Sequence, residues 1–210
     1  MNIRPHHILC VQNYIGYGYN EEFTAHMDRI TESLFRGVEV VMHEGCDDVC
    51  IACPHNKDGR CTSLDKVDRM DREVLSVCDL KYGDRLNWND AATLAKEKIL
   101  ETEEFSRICG SCQWYETCRK IRTVISRIEK YEKIMQDAKR MLGEGREDQA
   151  DILREKIEEL ETYYKSAEWK DDFAADEAGR LPKGLKRGVL SEDGLFNLLE
   201  RYRDNLNGSF

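Results

Sequence analysis

Apolar residues recur every three or four positions along most of this chain, the period of a helix that buries one face. Pro5 suits the first turn of a helix, where its missing N–H is no loss, and a helix over 6–15 is expected before Gly16 and Gly18 break it. Three positions apart on that helix, His7 and Cys10 share a face. Asn20 reads as the N-cap of a second helix, with Glu21 and Glu22 at its positive end and Phe23, Met27, Ile30 and Leu34 as its buried stripe. The β-branched run 38–43 is the one strand of consequence expected, and it delivers the chain to Cys46, Asp47, Asp48 and a cysteine-rich loop. Ser63 should cap a helix carrying Leu64, Val67, Met70, Val74 and Val77, and Asn89 or Asp90 should begin another that reaches Leu100.

From Tyr115 a long helix shows Ile121, Val124, Ile128, Tyr131, Met135, Ala138 and Leu142 in alternating steps of three and four, and Gly143 and Gly145 end it. Ala150, Leu153, Ile157, Leu160, Tyr164 and Ala167 repeat the pattern. The segment 121–167 therefore predicts an antiparallel helical hairpin, packed on itself because the turn is short and glycine-rich. Trp169, Phe173, Leu181 and Val189 are spread through what reads as a loop, and Ser191 caps a last helix with Leu195, Phe196, Leu199 and Tyr202 on its apolar face. The fold class expected is mainly α: a small Cys-rich module with a short strand over 1–122, then the hairpin and C-terminal helix over 123–210.

Charge narrows the partners. Lys and Arg number 32 against 41 Asp and Glu, a net of −9, and both halves are acidic, which disfavours a nucleic-acid surface. The basic group Lys183, Lys186 and Arg187 reads as solvated surface. No apolar run is long enough to span a membrane, and the first residues lack the pattern of a secretory signal, so a cytoplasmic protein is expected. In that reducing setting an odd count of nine cysteines reads as metal ligands rather than a disulfide framework.

All nine lie in the first 118 residues, and six form two similar triads: Cys50, Cys53 and Cys61, then Cys109, Cys112 and Cys118. Each triad opens with Cys-x-x-Cys, the separation at which one turn points both sulfurs at one metal. Thiolates are soft donors that select zinc, copper(I) or iron–sulfur units. Pro54, directly after Cys53, stiffens its turn as prolines beside iron–sulfur ligands do. Zinc shared by the two Cys-x-x-Cys pairs is the alternative, but 55 residues separate Cys53 from Cys109, and Cys61 and Cys118 would be left over. A four-iron cluster could take three thiolates from one triad and one from the other, or two from each. Two separate sites completed by His7, His55 or Cys10 are equally open, and a metal-free thiol pair is a third class.

Around these ligands, Asp47 and Asp48 read as turn-forming residues rather than catalytic carboxylates, and Trp114 and Tyr115 as a shield against water. Tyr17 and Tyr19 either line a pocket or finish the first helix. Asp176, Glu177, Glu192 and Asp193 are expected to be capping and surface groups. No phosphate-binding glycine loop, no Ser-His-Asp arrangement and no radical-type Cys-x-x-x-Cys-x-x-Cys signature is expected.

Taken in order, Arg4-Pro-His-His-Ile-Leu-Cys10, Gly16-Tyr-Gly-Tyr19, Asp47-Asp-Val-Cys-Ile-Ala-Cys-Pro54 with Cys61, and Ile108-Cys-Gly-Ser-Cys-Gln-Trp114 with Cys118 resemble the prokaryotic family called domain of unknown function 1284. That resemblance, over about residues 1–122, implies iron–sulfur binding with no reaction attached, on Cys50, Cys53, Cys61, Cys109, Cys112 and Cys118, with Cys10 and His7 as outside candidates. Cys46 and Cys78 stand apart from it. Tyr163-Tyr-Lys-Ser-Ala-Glu-Trp169, Asp176-Glu-Ala-Gly179, Leu181-Pro182 and Gly188-Val-Leu-Ser-Glu-Asp193 resemble domain of unknown function 4298, over about residues 123–207. The expectation is thus an iron–sulfur protein, with a [4Fe–4S] cluster serving electron transfer or redox sensing, whose helical second module binds a protein partner. Its rival is a zinc-stabilised adaptor.

Overall fold

Ile3 and Pro5 are both buried in the computed structural model, which describes residues 1–145 and 147–207. They anchor strand β1 (Asn2–Ile3) and helix α1 (Pro5–Gln12), in which Pro5 occupies the first turn as expected. The helix stops at Gln12, three residues short of Ile15. Asn20 caps α2 (Glu21–Leu34), its Oδ1 accepting from the Phe23 amide at 2.8 Å, and Met27, Ile30 and Leu34 are buried. Strand β2 (Glu39–Met42) turns Val40 and Met42 into the core. A 3-10 turn over Asp48–Ala52 and a tight hairpin, β3 (Asn56–Lys57) with β4 (Arg60–Cys61), carry the first cysteine triad.

Beyond the hairpin, α3 (Leu64–Cys78) buries Met70, Val74 and Leu75. Ser63 stands at its N-cap position but makes no capping hydrogen bond. Strand β5 (Arg85–Asn87) precedes α4 (Trp88–Ala95), where the capping residue is Asn87, whose side chain accepts from the Asn89 amide; Asn89 and Asp90 already lie inside the helix. A π turn, Lys96–Leu100, follows, with the Glu101 amide donating to the Lys96 carbonyl at 3.0 Å. Helix α5 (Glu104–Cys109) leads into the second triad.

The strand expected over 38–43 is the middle of a three-stranded sheet, ordered β1-β2-β5. Asn2 pairs with Val41 and Ile3 with Met42 in parallel, and Val40 pairs with Leu86 across the antiparallel β2–β5 ladder. Ile3, Ile8, Leu34, Val40, Met42, Val74, Trp88, Ile99 and Ile108 are buried in one core beneath this sheet and the surrounding helices.

The described chain divides into two compact units, Met1–Arg122 with Pro182–Gly184, and Thr123–Leu181 with the described residues from Leu185. Arg146 and residues 208–210, which end the second module expected from the sequence, lie outside the described residues. Helix α6 (Tyr115–Glu144) starts in the first unit and continues in the second. Gly145, with φ +61°, ends it in the left-handed conformation that glycine adopts without strain, while Gly143 remains helical.

In the second unit α7 (Ala150–Tyr164) runs antiparallel to α6: Lys130 pairs with Glu159 at 2.6 Å, Asp137 with Lys156 at 3.5 Å, and Tyr131 stacks on Tyr163 at 3.8 Å. Tyr163, rather than the expected Tyr164, is the buried member of the stripe, because a 3.6-residue period drifts against steps of three and four. The loop expected around Trp169 and Phe173 is instead a helix, α8 (Ala167–Glu177), with the Ser166 hydroxyl accepting from the Trp169 amide at 3.1 Å. Its buried Asp172 takes both Nε and Nη2 of Arg127, at 2.8 and 2.6 Å, and the Tyr163 hydroxyl at 2.7 Å. Helix α9 (Glu192–Asn207) begins as expected, with Ser191 Oγ accepting from the Gly194 amide, but Leu198 takes the inward place expected of Phe196, which is half exposed. Among the described residues no helix is long and apolar enough to cross a membrane.

Candidate metal centre

Asp47 begins the site. Its Oδ1 accepts from the Cys50 amide at 3.1 Å and so caps the 3-10 turn that carries Cys50. One turn on, the Cys53 amide donates to the Cys50 carbonyl at 3.1 Å, and Asn56 ties the loop down through its amide on Cys53 and its side chain on Cys50. Asp58 and Gly59, both with positive φ, reverse the chain so that Cys61 on β4 faces Asn56. The second triad repeats the device. Helix α5 ends on Cys109, the Cys112 amide donates to the Cys109 carbonyl at 2.8 Å, and Cys118 follows in the first turn of α6, its amide on the Trp114 carbonyl at 2.9 Å. Glycine is required between them, since a Cβ on Gly110 would meet the Ser106 carbonyl oxygen at 2.5 Å.

These two loops, 55 residues apart in sequence, meet at one cavity of about 170 Å³ in the first unit, lined by both triads together with His7 and Cys10 of α1. Every candidate ligand expected from the sequence is on that lining. Tyr17, Tyr19, His55 and Trp114 line it too, which answers the question left open for the tyrosines. The Tyr19 ring packs against Phe23, His55 and Trp114 at centroid distances of 5.1, 4.8 and 5.8 Å. Asn13, the buried C-cap of α1, also lines the cavity, and its Oδ1 has no hydrogen-bond partner.

Two buried carboxylates orient the histidines of α1. Asp47 Oδ2 lies 2.7 Å from His7 Nδ1 and accepts from the Arg4 amide at 2.6 Å. An ionised carboxylate only accepts, so Nδ1 carries the proton and Nε2 keeps its lone pair for a metal or a proton, the arrangement in which a carboxylate fixes a ligating histidine. Burial alone would raise Asp47, but His7, the Arg4 amide and Cys50 more than offset it and hold the carboxyl well below the usual range. Asp71 does the same for His6, accepting from its amide at 2.9 Å and lying 2.6 Å from its Nδ1, while Arg4 donates to Asp71 and Asp68. Asp48 keeps the structural role expected of it: its carboxylate accepts from the Asn2 amide and its carbonyl meets His26 Nε2.

All nine cysteines are free thiols. Burial, with repulsion from neighbouring thiolates, pushes Cys109 up to about 12 and Cys118 up to about 11 and lifts Cys10, while burial and the Asp47 carboxylate lift Cys50. Burial of this kind disfavours a free thiolate, and a metal would displace the thiol protons on binding. Among the described residues, the one group of three metal-binding side chains whose ligand atoms all lie within 4.8 Å of one another is His7, Asp47 and Cys50. Among the described residues no three cysteine sulfurs lie within 4.8 Å of one another, whereas thiolates around one tetrahedral zinc ion are roughly 3.8 Å apart. That spread, the soft donors and the shared cavity fit an iron–sulfur cluster.

Cys46 and Cys78 are the two cysteines off the lining. Cys78 is buried in the apolar core on α3. Cys46, which stands outside the resemblance, precedes Cys50 by four residues and has Cys50, Cys61 and Cys53 as electrostatic neighbours. Cys46, Cys50 and Cys53 read Cys-x-x-x-Cys-x-x-Cys, so the expectation that the chain lacks a run of that spacing is wrong.

Residues 18–118 match the family described as Protein of unknown function (DUF1284), and residues 121–208 match the one described as Domain of unknown function (DUF4298), in that order. All six triad cysteines fall inside the first match, and α1, with His7 and Cys10, precedes it. No curated protein and no solved structure matches the chain.

Proposed function

From a chain that joins a DUF1284 segment to a DUF4298 segment, we propose an iron–sulfur protein of the reducing cytoplasm that serves electron transfer or redox sensing, its second unit binding a protein partner. One observation carries this reading: two cysteine triads remote in sequence line a single cavity, spread more widely than one metal ion needs. The residues that would hold the cluster are Cys50, Cys53, Cys61, Cys109, Cys112 and Cys118, with Cys10 and His7 beside them. Bound there, a [4Fe–4S] cluster would supply one-electron exchange. The protein's own part is to keep it dry and oriented. Tyr19 and Trp114 cover the cavity, the Cys-x-x-Cys turns hold sulfurs on one side, and Asp47 fixes His7.

The test is anaerobic purification with iron, acid-labile sulfide and zinc quantification and an absorption spectrum, on wild type and Cys50→Ala. Matched iron and sulfide with visible absorption, lost in the variant, is the expected result; its absence from wild type overturns the reading. The tight group of His7, Asp47 and Cys50 favours a second reading, a single zinc ion in a structural site. Stoichiometric zinc without sulfide, lost together with the fold on chelation, would establish it and move the function to the helices.

A further inference from the structure

Nine cysteines are one too many for two sets of four, and the structure identifies the odd one. Cys78 sits in the apolar core of α3, away from the cavity, and no other cysteine acts on it. The remaining eight separate by neighbourhood. Cys46 stands four residues before Cys50 in the loop that carries the first triad, and Cys50, Cys61 and Cys53 are its electrostatic neighbours. Cys10, from α1, faces the other loop: its thiol neighbours are Cys112, Cys118 and Cys109. Each Cys-x-x-Cys turn is closed by the same amide-to-carbonyl bond, and each triad thus gains a fourth sulfur from a different part of the first unit.

We infer that the first unit holds two four-thiolate sites, Cys46 with Cys50, Cys53 and Cys61, and Cys10 with Cys109, Cys112 and Cys118, each accommodating one four-iron cluster. The inference rests on the iron–sulfur reading above and specifies its ligands and number. Four protein thiolates per cluster leave no iron open to a substrate, so the pair exchanges electrons rather than activating a bound molecule. Seven of the eight sulfurs share one cavity, and Tyr19 stands between the groups, with Cys53 of one and Cys10 and Cys112 of the other as its thiol neighbours. Electrons can therefore pass from one site to the other within the protein.

Iron and sulfide per chain decide it, measured on anaerobic full-length wild type, Cys10→Ala, Cys46→Ala and Cys78→Ala. The expected result is about eight iron and eight sulfide per wild-type chain, falling toward about half in Cys10→Ala and in Cys46→Ala and unchanged in Cys78→Ala. The dithionite-reduced wild type should also give an electron paramagnetic resonance spectrum broadened by coupling between two neighbouring clusters, a readout that needs no variant. About four iron per chain, insensitive to Cys10→Ala and Cys46→Ala, or the spectrum of an isolated cluster, overturns the two-site inference and leaves the iron–sulfur reading standing. Two zinc ions per chain in place of iron, roughly one for each four-thiolate set, would overturn the iron–sulfur reading and keep the partition. Wild type without any metal overturns both.

Discussion

His7 Nδ1 lies 2.7 Å from Asp47 Oδ2, and that one carboxylate also caps the turn of Cys50 and receives the buried Arg4 amide. Helix α1 and the first cysteine loop are therefore registered through a single side chain. Asp47→Ala leaves the Arg4 and Cys50 amides and the His7 ring without their acceptor, at an expected cost of about 2–4 kcal/mol. Asp47→Asn keeps one acceptor oxygen and should lose less. Denaturant midpoints and metal content for both variants check this; an Asp47→Ala protein with wild-type stability and full metal would show that the carboxylate is dispensable.

Asp71 supplies the pH dependence. Burial alone would raise it, but the His6 hydrogen bonds and the Arg4 guanidinium bring it below its ordinary value of 3.8. A carboxylate depressed in the folded state contributes stability that is present above its unfolded value and lost as pH falls through the folded one. Wild type should accordingly lose stability below about pH 4. Asp71→Asn, which cannot titrate, should be weaker by about 3 kcal/mol at neutral pH, since Arg4 is fully buried and keeps only Asp68, and should show a flatter acid limb. Urea melts of both proteins between pH 3 and pH 7 measure the difference; parallel curves would remove Asp71 from the acid response.

Tyr19 closes the cavity with a ring held edge-on by His55 and Trp114, and it is more than a third exposed on its outer side. Removing it should admit water and oxygen while costing little stability, because an exposed ring contributes little burial energy. The expectation for Tyr19→Ala is a bleaching rate in air raised several-fold, with a thermal midpoint close to wild type. Tyr19→Phe keeps the ring and should bleach at the wild-type rate. Equal rates in all three proteins would show that water reaches the proposed cluster by another route.

Some of this was readable in advance, and the division follows the range of the interactions. Asn20, Ser191 and the stripe of Met27, Ile30 and Leu34 announce their helices because caps and a 3.6-residue period are local signals. Strands β1 and β5 were invisible, two and three residues long and defined only by pairing with β2 across the chain. Helix α8 was mistaken for loop because its apolar residues are few, although Ser166 before Trp169 carries a capping signal. At the site, the triads were legible from spacing, but their meeting at one cavity depends on how α1, α3 and α5 pack. Cys46 was within reach, standing four residues before Cys50. Asp71 was not, since nothing near it in sequence hints that a carboxylate on α3 is buried against Arg4 and His6.

Asp172 tests whether the second unit stands on its own. Its buried carboxylate receives two guanidinium hydrogen bonds from Arg127 and one from the Tyr163 hydroxyl, joining α6, α7 and α8 at one point. Taking it away leaves Arg127 without its partner and the Tyr163 hydroxyl, on a residue 2% exposed, unsatisfied. Breaking a buried pair from one side costs about 3–5 kcal/mol, more than repacking around an alanine recovers. Asp172→Ala should therefore melt the hairpin unit early, seen as partial loss of helical signal in a first transition, while metal content stays at the wild-type level. A single transition carrying metal loss with it would mean that the two units unfold as one, and that the cysteine sites depend on the helices that follow them.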